Sequence, residues 1–279
     1  MTTAPTGDER VDDPRGVLIT GASMGLGRAM AELLAADGWR VFGTSRHPEA
    51  HPDHAWEMLA LDVTDDESVR ACVAEVMERA GRIDALVNNA GYGLSAFAEE
   101  PTVEEVRAQF ETNYLGVHRM CRAVLPIMRA QGRGHIVNIS SLSGLFGTPP
   151  SAHYAASKHA LEGYSDAMKY EVAPLGVQVA VVEPGITRSN FRENAVRPAE
   201  PLAVYDELRE HLGTMGRMAE ERAAREETVA RTVRRVLNTP RPRLRYTCTR
   251  LDWIAAHMRC WVPEGFTRWV VRRVLGLRG

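Results

Sequence analysis

The feature that most constrains the fold of this chain is a strand, a glycine-rich turn and a helix in immediate succession near its start. Residues 16–20 form a short apolar run, as a buried parallel strand requires. The turn that follows contains Gly21, Ser23, Gly25, Leu26 and Gly27. Apolar residues then recur at helical spacing from Arg28 to about Asp37. In this arrangement backbone amides and a helix N-terminus bind pyrophosphate, so the segment predicts a dinucleotide site, although many tight turns are glycine-rich.

Strands and helices continue to alternate beyond this unit. Further apolar strands are predicted at 40–44, 56–61, 83–88, 134–139 and 177–183, with helices between them at 65–80 and 103–129 and around Tyr154. The alternation predicts an α/β fold, with a doubly wound parallel (Rossmann-like) sheet and helices on both faces. Residues 243–248 resemble a last strand. We expect a disordered leader at 1–15, a single catalytic domain at 16–250 and an amphipathic helical C-terminal extension at 251–279.

Tyr154 and Lys158 carry the chemistry that the sequence indicates. They lie four residues apart in a predicted helix, so both side chains leave the same face. Bringing the pKa of a tyrosine from about 10 to near 7 requires roughly 4 kcal/mol of phenolate stabilisation. One ammonium about 4 Å away contributes about that much at an effective dielectric constant of about 20. Ser141, thirteen residues upstream, could hydrogen-bond the same substrate oxygen. The alternative is that the Tyr and the Lys serve only surface and packing roles.

Lysine is scarce in this chain, which weighs against that alternative. Only Lys158 and Lys169 are lysines among 34 basic residues, so a lysine at this spacing indicates a need for a compact ammonium. The Ser…Tyr-x-x-x-Lys pattern and the T-G-x-x-x-G-x-G turn closely resemble those of the short-chain dehydrogenase/reductase family. The sequence following Tyr154 and the Pro-Arg-Leu-Arg-Tyr segment look most like its steroid- and retinol-dehydrogenase-like branch.

The resemblance implies roles for further residues. Cofactor contacts are implied for Asp62 and Val63 at the adenine, for Asn89, Ala90 and Gly91 along the fourth strand, and for Pro184, Gly185, Thr187 and Ser189 at the nicotinamide. A Thr usually stands in place of Ser189. Asn113 matches an asparagine that bends its helix and holds a water in a proton relay, whereas a mid-helix Asn otherwise tends to face solvent. Among Ser140, Ser141 and Ser143, spacing and the following Gly144 favour Ser141 as the third catalytic group.

The end of the second strand bears on the choice of cofactor. It finishes in Ser45 and Arg46, where an NAD enzyme usually places an acid on the adenosine ribose. Arg46 could bind the 2′-phosphate of NADP, so we expect NADP(H); the alternative is a solvated loop arginine. His47, His51 and His54 lie in a segment rich in Pro and acids, which favours an exposed loop over a metal site, and we expect no metal.

Composition limits the remaining possibilities. The net charge is −2, but the stretch from Arg222 onward holds 14 Arg against four Asp and Glu, which makes it +10 and leaves −12 for the rest. Because these arginines alternate with Trp, Val and Leu at helical spacing, we do not expect nucleic-acid binding. No apolar run approaches the roughly 18 residues of a membrane span. The four cysteines, Cys72, Cys121, Cys248 and Cys260, are scattered, so we expect no disulfide framework and a cytoplasmic location.

The function predicted from these features is NADP-dependent interconversion of a secondary alcohol and a ketone, or an aldehyde, on a small molecule that is lipophilic by analogy. Dehydration or isomerisation on the same fold, and a nucleotide-sensing regulator, are the alternatives. By resemblance, residues 190–227 form a substrate lid, and a homodimer or homotetramer is expected. One face of the last helix, formed by Phe266, Trp269, Val270, Val274 and Leu277, either packs on protein or contacts an anionic membrane peripherally.

Overall fold

The computed structural model describes residues 14–50, 54–189, 191–221 and 223–261, together with 265, 266, 269, 272 and 273. Its strands are β1 (Gly16–Ile19), β2 (Arg40–Ser45), β3 (Glu57–Ala60), β4 (Ala85–Asn88), β5 (Gly134–Ile139), β6 (Val177–Glu183), β7 (Thr187–Arg188), β8 (Ala224–Arg225) and β9 (Arg245–Thr247). Its α-helices are α1 (Gly25–Ala36), α2 (Asp66–Ala80), α3 (Val103–Phe110), α4 (Gly116–Gln131), α5 (Ala152–Val172), α6 (Asp206–Glu221), α7 (Glu226–Leu237) and α8 (Arg250–Trp261).

Seven of these strands form one parallel sheet in the order β3-β2-β1-β4-β5-β6-β9. The order runs outward in both directions from the β1–β4 pair, which is the doubly wound arrangement, so the predicted α/β fold is confirmed. β9 confirms the last strand expected within residues 243–248. β7 and β8 pair separately and were not predicted, because two-residue strands leave no periodic signal.

The sheet is buried on both faces, as its continuous apolar strands require. Leu18 and Leu86 point to the face covered by α2, α4 and α5. Val17 precedes Leu18 and Val87 follows Leu86, so both point to the opposite face, which is covered by α1 and α7. The core therefore consists of two apolar layers with the sheet between them, and the carboxyl ends of the strands meet at one edge.

The helix predicted from Val103 to about Arg129 is not continuous. A π-helical turn, Glu111–Leu115, separates α3 from α4 and carries Asn113. Thr102 caps α3 through a reciprocal arrangement with Glu105, and α4 ends before Gly132, which is left-handed. The two helices therefore start and stop conventionally, and the irregularity is confined to the turn between them.

The structure bears on the predicted lid and on the helices predicted at the C-terminus. α7 packs against α1 in the core, so the expected lid boundary at 227 runs into a structural helix. α8 corresponds to the first of the two helices expected at the C-terminus, whereas most of the second and residues 1–13 lie outside the described residues. No helix in the described part of the chain is long and apolar enough to cross a membrane.

Candidate active site

A single cleft of about 1660 Å³ at the carboxyl edge of the sheet brings together most of the predicted site residues. It is lined by Gly21, Ser23, Gly25, Leu26, Ser45, Arg46, Asp62, Val63, Asn89, Ala90, Gly91, Ser141, Tyr154, Lys158, Pro184, Gly185, Thr187 and Ser189. Two predicted residues, Gly27 and Asn113, do not line it. Both are buried beside the cleft, so any role they have is exerted through the residues they contact.

The glycine turn has the geometry that a bound pyrophosphate needs. Gly21 and Gly25 have φ of 68° and 57°, in the left-handed region. Gly27 allows close packing instead, since a Cβ there would lie 2.1 Å from the Gly21 carbonyl oxygen. α1 begins at Gly25; its N-cap residue Met24 makes no side-chain cap and its first turn has no acid, unlike α2, which Asp65 caps. The first amides of α1 therefore remain available to an anion, and the residues present fit a dinucleotide.

The end of β4 is locked onto this turn by Thr20. Its hydroxyl accepts hydrogen bonds from the N–H groups of Asn89 and Ala90, each at 2.9 Å. Asn89 Nδ2 in turn donates to the carbonyl oxygens of Thr20 and Gly21 at 2.9 Å. Asn89 therefore also holds the glycine turn in place, a role that was not predicted from the sequence. Thr20 was not singled out from the sequence, although it is the first residue of the T-G-x-x-x-G-x-G motif.

At the opposite end of the cleft, the β2 and β3 termini present one basic and one acidic group. Asp62 Oδ1 accepts from the Thr64 N–H at 2.9 Å and from its hydroxyl at 2.7 Å. The pKa of Asp62 is held below its ordinary value, chiefly by the backbone hydrogen bond from Thr64. The charges of Arg46 and Arg119 lower it further. No acid stands in the Ser45–His47 segment, where an NAD enzyme usually has one.

Ser141, Tyr154 and Lys158 converge between these two ends. Ser141 Oγ accepts from the Ser143 N–H at 3.1 Å and lies 3.5 Å from the Pro184 carbonyl oxygen, and its interaction with the Tyr154 hydroxyl acts to lower the pKa of that group. Lys158 Nζ donates to the Ile139 carbonyl oxygen at 2.9 Å and lies 5.9 Å from the centroid of the Tyr154 ring. The three side chains therefore share one small region, although the ammonium is directed at the end of β5 rather than at the phenol.

The electrostatics differ from the sequence-based expectation. Burial raises the pKa of Tyr154 to about 12, and the Ser141 hydrogen bond only partly opposes this. Burial also lowers the pKa of Lys158 to about 8, against the charge of Glu162. The expectation that Lys158 brings the pKa of Tyr154 close to 7 is therefore wrong for the protein's own groups, because desolvation outweighs the attraction. Tyr154 is held as a protonated phenol at neutral pH.

Asn113 is fully buried in the π-helical turn and does not face solvent. Its Oδ1 accepts from the Tyr92 N–H at 3.0 Å, while Nδ2 donates to the Tyr92 carbonyl oxygen at 3.0 Å and to Ser157 Oγ at 3.1 Å. A Cβ at Gly91 would lie 3.0 Å from Asn113 Oδ1 and 3.8 Å from Lys158 Nζ. Asn113 therefore shares a narrow region with Lys158. Its partners Tyr92 and Ser157 gave no sequence signal that distinguished them.

The wall of the cleft beside Tyr154 is apolar. The Phe191 ring lies 5.5 Å from the Tyr154 ring, between centroids. Leu142, Phe146 and Ile186 also line this side. The segment that carries Phe191 is fixed by Val196, whose N–H donates to the Gly93 carbonyl oxygen at 2.8 Å and whose carbonyl accepts from Ser95 at 2.9 Å. Phe191 was not predicted, because the sequence between Asn190 and Glu227 carries no strong apolar periodicity.

Comparisons with known proteins agree with this geometry. The family model described as short chain dehydrogenase matches residues 15–200, so the chain belongs to the short-chain dehydrogenase/reductase family, and the predicted family is confirmed. A 3-ketodihydrosphingosine reductase of Bacteroides thetaiotaomicron is 46% identical over 181 residues, covering 65% of this chain and 67% of that protein. The 17-beta-hydroxysteroid dehydrogenase type 1 of Mus musculus is 35% identical over 273 residues, covering 91% and 79%.

Solved structures extend the comparison. A short-chain dehydrogenase from Streptomyces avermitilis superposes with a TM-score of 0.81 at 36% identity, covering 93% of this chain and 97% of that one. A family member from Burkholderia phymatum in complex with NAD has a TM-score of 0.77 at 25% identity, covering 89% and 94%. ElxO with NADP bound has a TM-score of 0.69 at 27% identity, covering 86% and 99%. The chain is thus an oxidoreductase of this family with an NAD(P) cofactor.

Proposed function

We propose that this enzyme uses NADP(H) to interconvert a secondary alcohol and a ketone, or an aldehyde, on a lipophilic small molecule. The observation that carries the proposal is the convergence of Ser141, Tyr154 and Lys158 beside the apolar wall that contains Phe191. The names of two relatives, 3-ketodihydrosphingosine reductase and 17-beta-hydroxysteroid dehydrogenase type 1, specify carbonyl or hydroxyl chemistry on such molecules. A binding site with one apolar wall and a few convergent polar groups suits a substrate of this class.

The bound nicotinamide cofactor would supply or accept the hydride. Tyr154 exchanges a proton with the substrate oxygen, and Ser141 donates a hydrogen bond to the same oxygen. Because the pKa of Tyr154 is raised to about 12, its hydroxyl is a proton donor at neutral pH, which favours reduction. Lys158 replaces that proton through the region beside Gly91, where Asn113 orders the path. In this scheme Tyr154 and Lys158 transfer the proton, whereas Ser141 and Asn113 position the groups between which it moves.

The preference for NADP(H) rests on Arg46. Its side chain lines the adenosine end of the cleft, and the Ser45–His47 segment has no carboxylate to repel a 2′-phosphate. Arg46 is exposed in the loop after β2, and a guanidinium can bind a phosphate through two parallel hydrogen bonds. We therefore assign Arg46 to the 2′-phosphate of the cofactor.

The test is nicotinamide absorbance with purified protein, NADPH or NADH, and a panel of lipophilic ketones. Turnover of a ketone with NADPH is expected, and Tyr154→Phe should reduce it by about two to four orders of magnitude with cofactor affinity largely retained. Tyr170→Phe is the matched control, since Tyr170 lies on the same helix and is 77% exposed. A Tyr154→Phe enzyme within tenfold of the parent would refute the assignment. Substrate conversion at constant absorbance would indicate non-redox chemistry instead.

Three further proposals concern the substrate lid, the C-terminal region and the oligomeric state. The segment from Phe191 to Glu221 is the substrate lid, because Phe191, Val196 and Glu220 line the cleft. The C-terminal region contacts an anionic membrane peripherally, because Trp253 and Ile254 of α8 are exposed within a strongly basic stretch. A homodimer or homotetramer stays a prediction, which light scattering of the purified protein would test.

A further inference from the structure

A buried cluster of charged groups lies directly behind the cleft. Glu162 on α5 and Glu183 at the end of β6 are only 5% and 2% exposed. Arg245 on β9 lies between them: its Nε donates to Glu162 Oε2 at 3.1 Å and is 3.2 Å from Glu183 Oε1. We call Glu162, Glu183 and Arg245 the buried ion cluster after its two buried carboxylates; the side chain of Arg245 is 37% exposed. The side chain of Asp166 is 48% exposed, and its Oδ1 lies 2.6 Å from Arg245 Nη2.

The buried ion cluster touches the segments that present the reacting groups. Glu162 follows Lys158 by one helical turn on α5. Glu162 and Ser140 both pack against Gly144. A Cβ added to Gly144 would lie 2.8 Å from Ser140 Oγ and 3.2 Å from Glu162 Oε1. Glu183 directly precedes Pro184 of the cleft wall. A change of charge in the cluster therefore changes the electrostatic potential at the end of β5, at the end of β6 and on the face of α5 that carries Lys158.

The cluster contains two buried carboxylates but only one arginine, so it holds more negative than positive charge once both carboxylates are ionised. One arginine serves two buried carboxylates, and Glu183 Oε1 makes no hydrogen bond of ordinary geometry. Buried ion pairs add little stability over apolar residues of similar size, and an incompletely paired carboxylate costs stability. Lys158, which is 6% exposed, is a buried cation one helical turn from Glu162 on α5. Among the described ion pairs none joins the two groups directly, so Lys158 adds to the charge balance of the cluster through space.

We propose that Glu162 is a positioning residue for Lys158: its buried carboxylate, held in place by Arg245, keeps the lysine in its charged form beside the reaction site. The proposal rests on the proposed function in assigning Lys158 to the proton path. It predicts that Lys158 loses its charge at lower pH when the negative charge of Glu162 is removed.

The titration of the neighbouring groups supports this direction. Burial lowers the pKa of Lys158, and the charge of Glu162 raises it. Burial raises the pKa of Glu183 to about 7, with Glu162 and Asp166 adding to the rise and Arg245 opposing it. Burial raises the pKa of Glu162 as well, opposed by Ser140 and Arg245. Beyond these groups, Cys248 faces Glu183, and Asp252 of α8 faces Cys248.

The scarcity of lysine allows a direct test. With lysine labelled at Cε with ¹³C, the full-length protein gives side-chain signals from Lys158 and Lys169 only, and Lys169→Arg assigns them. In Glu162→Gln, the titration midpoint of Lys158 should fall by about half a unit or more, a factor of about three or more in the equilibrium. Glu162→Asp should restore most of the shift. The matched control is Asp166→Asn, which removes an exposed partner of the same arginine and should leave the midpoint within about 0.2 units.

The outcomes separate this inference from the proposed function. A folded Glu162→Gln protein with an unchanged Lys158 midpoint overturns the inference, as does an equal shift in Asp166→Asn. If Glu162→Gln cannot be obtained folded, Glu183→Gln replaces it and must lower the midpoint in the same direction. Where a ketone is reduced, the alkaline limb of its pH profile should move to lower pH with the midpoint. A shifted midpoint in a protein that reduces no ketone would support the inference and refute the function.

Discussion

Replacing Arg209 with leucine should release the lid from the body at one identifiable point. Glu100, whose side chain is fully buried, accepts hydrogen bonds from the N–H groups of Phe97 at 2.8 Å and Leu202 at 3.0 Å. Its remaining partner is the guanidinium of Arg209 on α6, which also lies over the Phe97 ring at 5.2 Å. We call Glu100 and Arg209 the lid anchor. Leucine keeps much of the apolar contact and removes the charge.

The size of the effect follows from what else holds α6. Leu212 is the one residue of α6 that is buried, and burying a leucine contributes about 2 to 3 kcal/mol. Removing one partner of a buried ion pair costs about 3 to 5 kcal/mol, less here because two backbone N–H groups still bind Glu100. A loss of roughly 2 to 3 kcal/mol is comparable to the apolar anchoring of α6. It should increase local opening by about 30- to 150-fold.

Hydrogen exchange measured by mass spectrometry on the purified variant checks this prediction. Peptides from residues 203–221 should exchange much faster than in the parent, whereas peptides from α5 should not change. Arg217→Leu is the matched control, because Arg217 lies on the same helix and bonds only locally, to Thr214 at 3.0 Å, among the hydrogen bonds described. Unchanged exchange in residues 203–221, or equal acceleration in α5, would refute the argument.

The lid anchor also has a predictable dependence on pH. The hydrogen bond from Arg209 holds the pKa of Glu100 below its ordinary value of 4.5. A carboxyl group whose pKa is lowered by folding contributes stability above its unfolded value, and this contribution is lost as pH falls through the folded value. Exchange of α6 should therefore accelerate selectively in acid below about pH 4. In Arg209→Leu this acid-dependent component should be much smaller.

Three further predictions concern other sites. Arg46→Ala should weaken NADPH binding by about 1.5 to 3 kcal/mol and leave NADH almost unaffected in fluorescence titrations; equal losses would contradict the assignment. Asn113→Ala should lower the free energy of unfolding in urea by about 2 to 4 kcal/mol, since two partly buried hydrogen bonds to Tyr92 and one buried hydrogen bond to Ser157 are lost; a loss under about 1 kcal/mol would contradict this. Full-length protein should co-sediment with anionic vesicles at low salt, and replacing Trp253 and Ile254 with glutamate should abolish it; a parent that stays in solution would exclude membrane contact.

Much of the fold and of the cleft could be predicted because the signals are local. Buried parallel strands read as uninterrupted apolar runs, and the glycine turn and the Tyr154–Lys158 pair each lie within one short segment. The groups that were missed are brought together by the fold. Glu162 and Arg245 are 83 residues apart, and Thr20 meets Ala90 across two strands. Nothing in the local sequence marks such partners.

Two expectations failed for a related physical reason. The spacing of Tyr154 and Lys158 indicates that the side chains are close, but it does not give their burial, and burial decides the direction in which both pKa values move. Helical spacing likewise does not reveal the extra residue of a π-helical turn. The helix was therefore predicted to run unbroken from Val103 to about Arg129, whereas a π-helical turn interrupts it and buries Asn113.

The scarcity of lysine by itself does not identify the catalytic one. Lys169 resembles Lys158 in its surroundings: its Nζ lies 3.3 Å from the carbonyl oxygen of Pro242, and burial lowers its pKa too. What sets Lys158 apart is its place on the cleft and the carboxylate of Glu162 behind it. Its pKa of about 8 lets it gain and lose a proton near neutral pH, which an arginine cannot do. The proposed proton path through Lys158 therefore predicts that Lys158→Arg lowers turnover, whereas Lys169→Arg, which changes only a hydrogen-bond donor to Pro242, leaves it unchanged.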